Sequence, residues 1–234
     1  MNHISFYSLL TTHYSLYLHK GVRLSIPSFW TNSGVREYTR SSMLTQLISF
    51  QNVGLQSEQI TVEVGHHNGE AKTIIVGLGD TAVQESKSRV WMALKSNGYY
   101  IGTGKVITIN LAPADLKKVG PRYDLPIALG IIISNKRERI SKEKLKDTAF
   151  IGELALDGSL RHVSGVLSAA IACRKQGIST LVVPAVNGAE AALIPGVKVI
   201  AVENLRELIE ILTDEHKPMS PNIPASSPVL TKQE

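Results

Sequence analysis

The stretch that decides the fold is residues 110–133, NLAPADLKKVGPRYDLPIALGIII. It begins as the end of a buried strand, residues 105–111, which Pro113 stops because proline has no N–H group to donate to a sheet. From Leu125 onward, apolar side chains recur at helical spacing, which predicts a helix facing a core. We predict that Asp124 caps this helix by accepting from the free N–H groups of its first turn. The stretch is therefore interpreted as a charged loop between a core strand and a core helix.

Strands and helices alternate on both sides of this stretch. The other predicted strands are 60–64, 72–76, 150–156, 159–163, 180–183 and 197–202, and the other predicted helices are 81–96, 165–176, 187–193 and 204–212. We predict that the strands 60–64 and 72–76 form a hairpin around the turn 65–69. Asn187 and Asn204 are predicted to cap the last two helices. This order predicts an α/β chain, specifically an α+β two-layer sandwich with a mixed sheet.

The inward side of the helix 81–96 is also predicted from spacing. The side chains expected to face the core are Val83, Val90, Met92 and Leu94. Either Asp80 or Thr81 is expected to cap the start of this helix, and Asn97-Gly98 is expected to end it, because both residues tolerate a left-handed conformation.

The two ends of the chain differ in composition from its middle. Residues 1–42 contain seven of the thirteen aromatic residues but keep no helical or strand period, so we predict an atypical N-terminal extension that is either poorly ordered or not native. Met43 is then the predicted natural start of a domain that spans residues 43–213. Residues 214–234 are rich in proline and serine, which predicts a linker leading to a further module.

Charge and cysteine content narrow the function classes. The formal net charge is +5, of which residues 1–42 carry +3, so the basic balance says little about what the folded part binds. The one cysteine, Cys173, lies among alanines in a helical pattern and is interpreted as a core residue. A chain without an internal disulfide suits a reducing compartment, so we predict a cytoplasmic location. We predict no membrane span, because no run of about 20 apolar residues occurs.

Three local motifs resemble binding sites without meeting their requirements. Residues 98–106, GYYIGTGKV, differ from a phosphate-binding loop in glycine spacing, in having valine where a hydroxyl is needed, and in leading to a strand. Residues 77–80, GLGD, contain too few glycines for a dinucleotide fingerprint. His66 and His67 fall in a predicted solvated turn without Cys or Asp at ligand spacing. The sequence therefore predicts neither a cofactor site nor a metal site.

Four segments carry a more specific signal. The first is residues 76–100, which include the predicted helix 81–96. The others are residues 107–131 with NLAPAD and DLPIALG, residues 151–172 with GELALDGSLR, and residues 182–202 with VPAVNGAEAA. In order and spacing these segments resemble the N-terminal domain of the magnesium-chelatase-like, ChlI-related ComM/YifB family of AAA+ proteins. The resemblance covers about residues 44–213 and implies the ribosomal protein S5 domain 2-like, Lon-protease-like fold. Asn68 to Glu70 and Gly77 to Asp80 depart from the Gly-Leu-Pro turns that are usual in the family.

The resemblance also implies activities that this sequence does not carry. In the family a proline-rich linker leads to an AAA+ ATPase, and bacterial members include a hexameric helicase that promotes branch migration of DNA during natural transformation. No Walker A motif, Walker B motif or arginine finger can be placed in the 234 residues. ATP and Mg²⁺ are therefore expected to bind in that other module, and this chain is expected to hold no cofactor.

A Lon-type peptidase site needs a serine at the start of the central helix and a lysine on the next long helix. In the resemblance the place of the serine falls at Arg122 or Tyr123, and residues 166–173 contain no lysine. Ser168 has no base near it in sequence. We therefore predict that the chain is not an enzyme.

The charged loop remains as a candidate interaction surface. Its candidate residues, with one from a neighbouring strand, are Asp115, Lys117, Lys118, Arg122, Asp124 and Arg161. Lysine and arginine side chains in such a loop can contact a DNA backbone, sister subunits or a separately encoded AAA+ module. The simpler alternative is that the two aspartates pair locally or cap the helix while the lysines are solvated.

Three functions are consistent with the sequence. The leading one is a non-catalytic accessory domain of a ComM-like, magnesium-chelatase-related ATPase, truncated or encoded by a split gene. The second is a free-standing module that binds single-stranded DNA. The third is the inactive relic of a disrupted gene.

Overall fold

The computed structural model describes residues 44–102 and 104–213. The predicted extension 1–42, the proposed start at Met43 and the predicted linker 214–234 lie outside the described residues. The strands are β1 (Leu44–Val53), β2 (Gln56–Asn68), β3 (Lys72–Val76), β4 (Lys105–Ala112), β5 (Thr148–Phe150), β6 (Glu153–Leu154), β7 (Leu160–Arg161), β8 (Thr180–Pro184) and β9 (Lys198–Val202). The helices are α1 (Thr81–Ser96), α2 (Asp124–Ser134), α3 (Lys142–Leu145), α4 (Val166–Gln176), α5 (Gly188–Ala191) and α6 (Leu205–Thr213).

Seven of these strands form one mixed sheet in the order β3-β4-β2-β1-β5-β8-β9. Strands β4, β2 and β1 are antiparallel neighbours, whereas β3 pairs parallel with β4 and β5, β8 and β9 continue parallel from β1. The short strands β6 and β7 form a separate antiparallel pair. The predicted α/β class with a mixed sheet is therefore confirmed.

The predicted hairpin between residues 60–64 and 72–76 is wrong. Strand β2 runs on through the predicted turn, so that His67 lies opposite Val106 of β4. Strand β3 does not pair with β2 but adds to the far side of β4. Strand β4, which comes later in the chain, therefore lies between the consecutive strands β2 and β3. The backbone hydrogen bonds that β2 makes on both sides outweigh the local tendency of residues 65–69 to form a turn.

Helices cover both faces of the sheet. On one face α1, α2 and α6 pack against alternate residues of the strands, including Leu47, Ile60 and Ile109. On the other face α4 and α5 pack against Phe50, Leu181 and neighbouring side chains. This second group of helices lies over β2, β1, β8 and β9, and the predicted two-layer arrangement did not include it.

Helix caps were predicted with mixed success. Asp80 caps α1 as expected by accepting a hydrogen bond from the N–H of Val83 at 2.9 Å. Asn204 caps α6 in the same way. Asn187 precedes α5, but its side chain instead bonds the backbone N–H and C=O of Val163 at 3.0 and 2.9 Å, so the predicted cap is wrong. A buried amide that satisfies a neighbouring segment is not available to its own helix.

Helix α1 differs from its prediction on one side. Val83, Val90 and Leu94 are buried as predicted, whereas Met92 is 45% exposed. Ala93 takes the predicted inward place of Met92. The reason is angular, because successive helical residues are about 100° apart and a two-residue step from Val90 leaves the buried stripe.

We expect Gly130→Ala to destabilise the domain. A Cβ at this position of α2 would lie 2.5 Å from Cγ2 and 3.1 Å from Cβ of Val64 on β2. Valine is stiff at χ1 and cannot turn away, so overpacking should outweigh the gain in helix propensity. The free energy of unfolding, measured by urea denaturation, should fall by about 1–2 kcal/mol.

Gly102→Ala is the control, because a Cβ there would meet nothing within 4 Å. It should change the free energy of unfolding by no more than about 0.5 kcal/mol. Equal stability of the two variants would contradict the close packing of α2 on β2.

Candidate functional site

The loop between β4 and α2 is fastened to the loop before α1. Lys118 donates its backbone N–H to the carbonyl of Leu78 at 3.0 Å, and its own carbonyl accepts from the N–H of Asp80 at 3.0 Å. The second carboxylate oxygen of Asp80 accepts from the N–H of Gly120 at 3.2 Å. Asp80 therefore caps α1 and holds the loop with the same side chain. Sequence reasoning found the cap but missed the loop contact, which depends on residues 40 positions away.

Gln51 of β1 holds the loop from the side of the sheet. Its Oε1 accepts from the N–H of Val119 at 2.9 Å and from the hydroxyl of Tyr123 at 2.6 Å. The side chains of Gln51 and Tyr123 are both buried. Sequence reasoning missed Gln51, although a polar residue at an inward position of a core strand is a signal for such a partner.

Asp124 lies at the centre of the site and is completely buried. Its oxygens accept from Nε and Nη2 of Arg89 at 2.7 and 3.2 Å, from the hydroxyl of Ser86, and from the backbone N–H of Leu154 at 3.3 Å. Burial raises the pKa of the Asp124 carboxyl, and the hydrogen bonds from Arg89 and Ser86 oppose this rise. The hydrogen bond to Asp124 raises the pKa of Arg89. Asp124 thus joins α1, α2 and β6 at one point.

The predicted cap by Asp124 is therefore wrong. Asp124 is the first residue of α2, and the cap position belongs to Tyr123, which makes no side-chain capping bond. The N–H of Leu125, in the first turn of α2, donates instead to the carbonyl of Gly152 at 3.0 Å. With another acceptor in place, the carboxylate is free to accept from the partly buried Arg89.

Lys118 is buried as well, so its predicted place on an interaction surface is wrong. None of its surface is accessible, and its ammonium group donates to the carbonyl of Pro113 within the same loop. Burial lowers the pKa of Lys118, while the charge of Asp115 acts to raise it. The side chain turns inward because its backbone is paired with the segment before α1.

Arg122 is one of the two residues, with Tyr123, at which the resemblance places a protease serine. Only 7% of the surface of Arg122 is exposed, which corrects its prediction as a surface residue. Its Nη2 donates to the carbonyl of Ser164, just before α4, at 3.1 Å. Its Nε and Nη1 are buried and have no hydrogen-bond partner among the described residues. Burial lowers the pKa of the guanidinium group.

The other three candidate residues lie at the surface. Asp115 and Lys117 are exposed on the loop, and Arg161 of β7 is exposed beside Glu153, with 3.4 Å between Nη1 and Oε1. Within the described part of the chain, no hydrogen bond or ion pair joins Asp115, Lys117 and Arg161. The six residues predicted from sequence therefore divide into three buried and three exposed side chains rather than forming one surface.

The two side chains considered as nucleophiles, Ser168 and Cys173, both lie on α4. Ser168 of α4 donates its hydroxyl to the carbonyl of Leu55 at 3.2 Å. Cys173 is buried on the same helix, where burial raises the pKa of its thiol to about 12.

Across residues 44–102 and 104–213, no group of three His, Cys, Asp or Glu side chains is placed to hold a metal ion. Of the helices described, none is both long and apolar enough to cross a membrane.

We expect Arg89→Met to destabilise the domain strongly, because it leaves the carboxylate of Asp124 buried without a counter-charge. The loss in the free energy of unfolding should be about 3–5 kcal/mol. The double variant Arg89→Met with Asp124→Leu should recover at least about 1 kcal/mol of that loss, as measured in a double-mutant cycle.

Arg161→Ala is the matched control, since its pair with Glu153 is exposed and should contribute no more than about 1 kcal/mol. An Arg89→Met variant as stable as Arg161→Ala would show that the buried pair does not hold the site together.

Sequence comparisons with known proteins show which family the chain resembles. The family model for subunit ChlI of Mg-chelatase matches residues 62–187. The chain is 36% identical over 187 residues to the competence protein ComM of Haemophilus influenzae, covering 80% of this chain and 36% of that protein. It is 39% identical over 164 residues to the uncharacterized protein YifB of Escherichia coli, covering 70% of this chain and 32% of that protein.

A more distant similarity supports the Lon-like character of the fold. The chain is 24% identical over 160 residues to the Lon protease of Aster yellows witches'-broom phytoplasma, covering 64% of this chain and 20% of that protein. The chain spans about a third of the length of ComM and YifB. Because the family match covers more than half of the sequence, the protein belongs to the family of the Mg-chelatase subunit ChlI, with ComM and YifB among its relatives.

Proposed function

We propose that this domain is a non-catalytic accessory domain that works with an AAA+ ATPase of the ComM type in DNA processing. ATP and Mg²⁺ would bind in that ATPase and not in the domain. The partners would be the ATPase module, whether on the same or a separate chain, and sister subunits. The setting we propose is the cytoplasm.

The observation that carries the proposal is which residues lie where the serine and lysine of a Lon-type peptidase would be. The resemblance puts the serine at Arg122 or Tyr123, both of which are buried, and the guanidinium of Arg122 donates to the carbonyl of Ser164 at 3.1 Å. The helix that would supply the lysine, α4, has Val166 to Ala172 in its first turns. A guanidinium cannot act as a nucleophile, and a buried one cannot give or take a proton at neutral pH. The geometry supports a scaffold that keeps the fold without the chemistry.

The comparisons support the second half of the proposal. Two relatives, ComM and YifB, are about three times as long as the segment that this chain matches, so their further length can supply a module that the domain serves. The name of ComM links that relative to competence. We infer the same setting for this domain from similarity over 80% of the chain.

A chimera tests the accessory role. In Haemophilus influenzae ComM, the matching segment is replaced by residues 44–213, and natural transformation is compared with that of cells whose ComM lacks the segment. We expect the chimera to transform more efficiently than the deletion, because residues 44–213 would retain the contacts that the domain makes with the ATPase module. A chimera carrying Arg89→Met is the matched control and should behave like the deletion.

Two outcomes contradict the proposal. One is a chimera that accumulates normally in cells but transforms no better than the deletion. The other is cleavage of an unfolded protein substrate by the purified chain, abolished in Ser168→Ala, which would make the domain a peptidase after all.

A further inference from the structure

A cleft of about 590 Å³ lies between α1 and the first residues of β3 and β4, away from the loop that precedes α2. Its volume is within the range of ligand-binding pockets in proteins. Three lysines line it, each from a different element: Lys72 from β3, Lys87 from α1 and Lys105 from β4. The described lining residues include no aspartate or glutamate. Three cations thus share one cleft without an anion to balance them.

The lysines are available to a ligand. Lys72 and Lys87 make no hydrogen bond or ion pair within the described residues. Lys105 donates its ammonium to Oδ1 of Asn135 at 2.7 Å and lies 3.5 Å from Nε2 of His66. Both contacts are with neutral groups, so they orient Lys105 without cancelling its charge. Like charges held together repel, and an anion bound between them would relieve that repulsion.

An indole ring lies among these charges. Trp91 lines the cleft one helical turn after Lys87, and its Nε1 donates to the hydroxyl of Thr73 at 2.8 Å. This bond fixes the orientation of the ring and uses its one donor, so what it presents to the cleft is apolar. Met92, 45% exposed, lies beside it. A fixed aromatic ring within a group of lysines is the arrangement with which proteins hold single-stranded nucleic acid.

We propose that this cleft binds a nucleotide unit of a single-stranded nucleic acid, with the base against Trp91 and the flanking phosphates near Lys72, Lys87 and Lys105. A chain of nucleotides fits better than a free nucleotide, because the lysines come from three elements around an open cleft and offer charge to more than one phosphate. The ammonium groups bind phosphate as point charges, so the site reads no sequence. The inference does not rest on the accessory role, because it concerns a ligand that the purified chain binds by itself.

The test uses the full chain with Trp30→Phe, which leaves Trp91 as the only tryptophan of the two in the sequence. A fluorescein-labelled single-stranded oligothymidylate is titrated by anisotropy, and an unlabelled copy is titrated while indole emission is recorded. We expect binding at low salt, quenching of Trp91 emission with the same midpoint, and a linear fall of log affinity with log salt concentration. The variant Lys72→Ala with Lys87→Ala should make that slope shallower by about 1.4, or about 0.7 for each phosphate that is no longer neutralised by a lysine.

The control variant Lys142→Ala with Lys175→Ala removes the same charge from exposed lysines outside the cleft and should leave the slope unchanged. Trp91→Phe keeps an aromatic ring and should weaken binding severalfold without unfolding the chain, which circular dichroism checks. Competition by AMP identifies the source of the ligand: we expect AMP to compete only at far higher concentration, and equal affinity would assign the cleft to a free nucleotide carrying the same phosphate and base.

Three results would overturn the inference. They are no binding of the oligonucleotide at low salt, equal weakening of binding in the cleft and control lysine variants, and competition by polyglutamate or inorganic phosphate as strong as by unlabelled oligothymidylate. The last result would mean that the cleft binds negative charge alone, as an acidic protein partner would require.

Discussion

The ion pair between the fully buried Asp124 and the partly buried Arg89 is the interaction on which the rest of the structure depends. It joins α1 to α2, and a further bond to the N–H of Leu154 adds β6. A carboxylate without accessible surface is stable only where its partners are in place, so the two helices and the β6 segment must adopt one relative position. The loop before α2 is then closed by Asp80 and Gln51, which accept from its backbone N–H groups. Together these contacts fasten a charged loop to the core.

A buried arginine marks the start of α2. Arg122 contacts the carbonyl of Ser164, just before α4, and so links the segments that precede the two helices. The buried Lys118 contacts a carbonyl of its own loop and faces no acidic hydrogen-bond partner in the described structure. Exposed charge remains on the loop at Asp115 and Lys117, and a separate group of three lysines lines the cleft between α1 and the first residues of β3 and β4.

Elements that depend on local sequence were predictable. Helical spacing gave α1, α2 and α4 to within about two residues, and the caps Asp80 and Asn204 follow from side chains next to the N–H groups they serve. Apart from Met92 and Lys118, the failures involve partners far away in the chain. The position of β4 between β2 and β3 is a matter of long-range pairing, and Asp124 was assigned to its own helix because Arg89 is 35 residues earlier. The cleft lysines were missed for the same reason, since three separate elements bring them together.

The central claim is that the loop before α2 is held in one position against the core and is not a mobile catalytic or gating loop. Native-state hydrogen exchange tests it at the amides of Val119, Gly120 and Leu154, which donate to the side chains of Gln51, Asp80 and Asp124. If the claim holds, these amides exchange only through global unfolding, with the same opening free energy as amides in the middle of β2. Exchange at Val119 and Gly120 as fast as at the exposed Asp115 would contradict it.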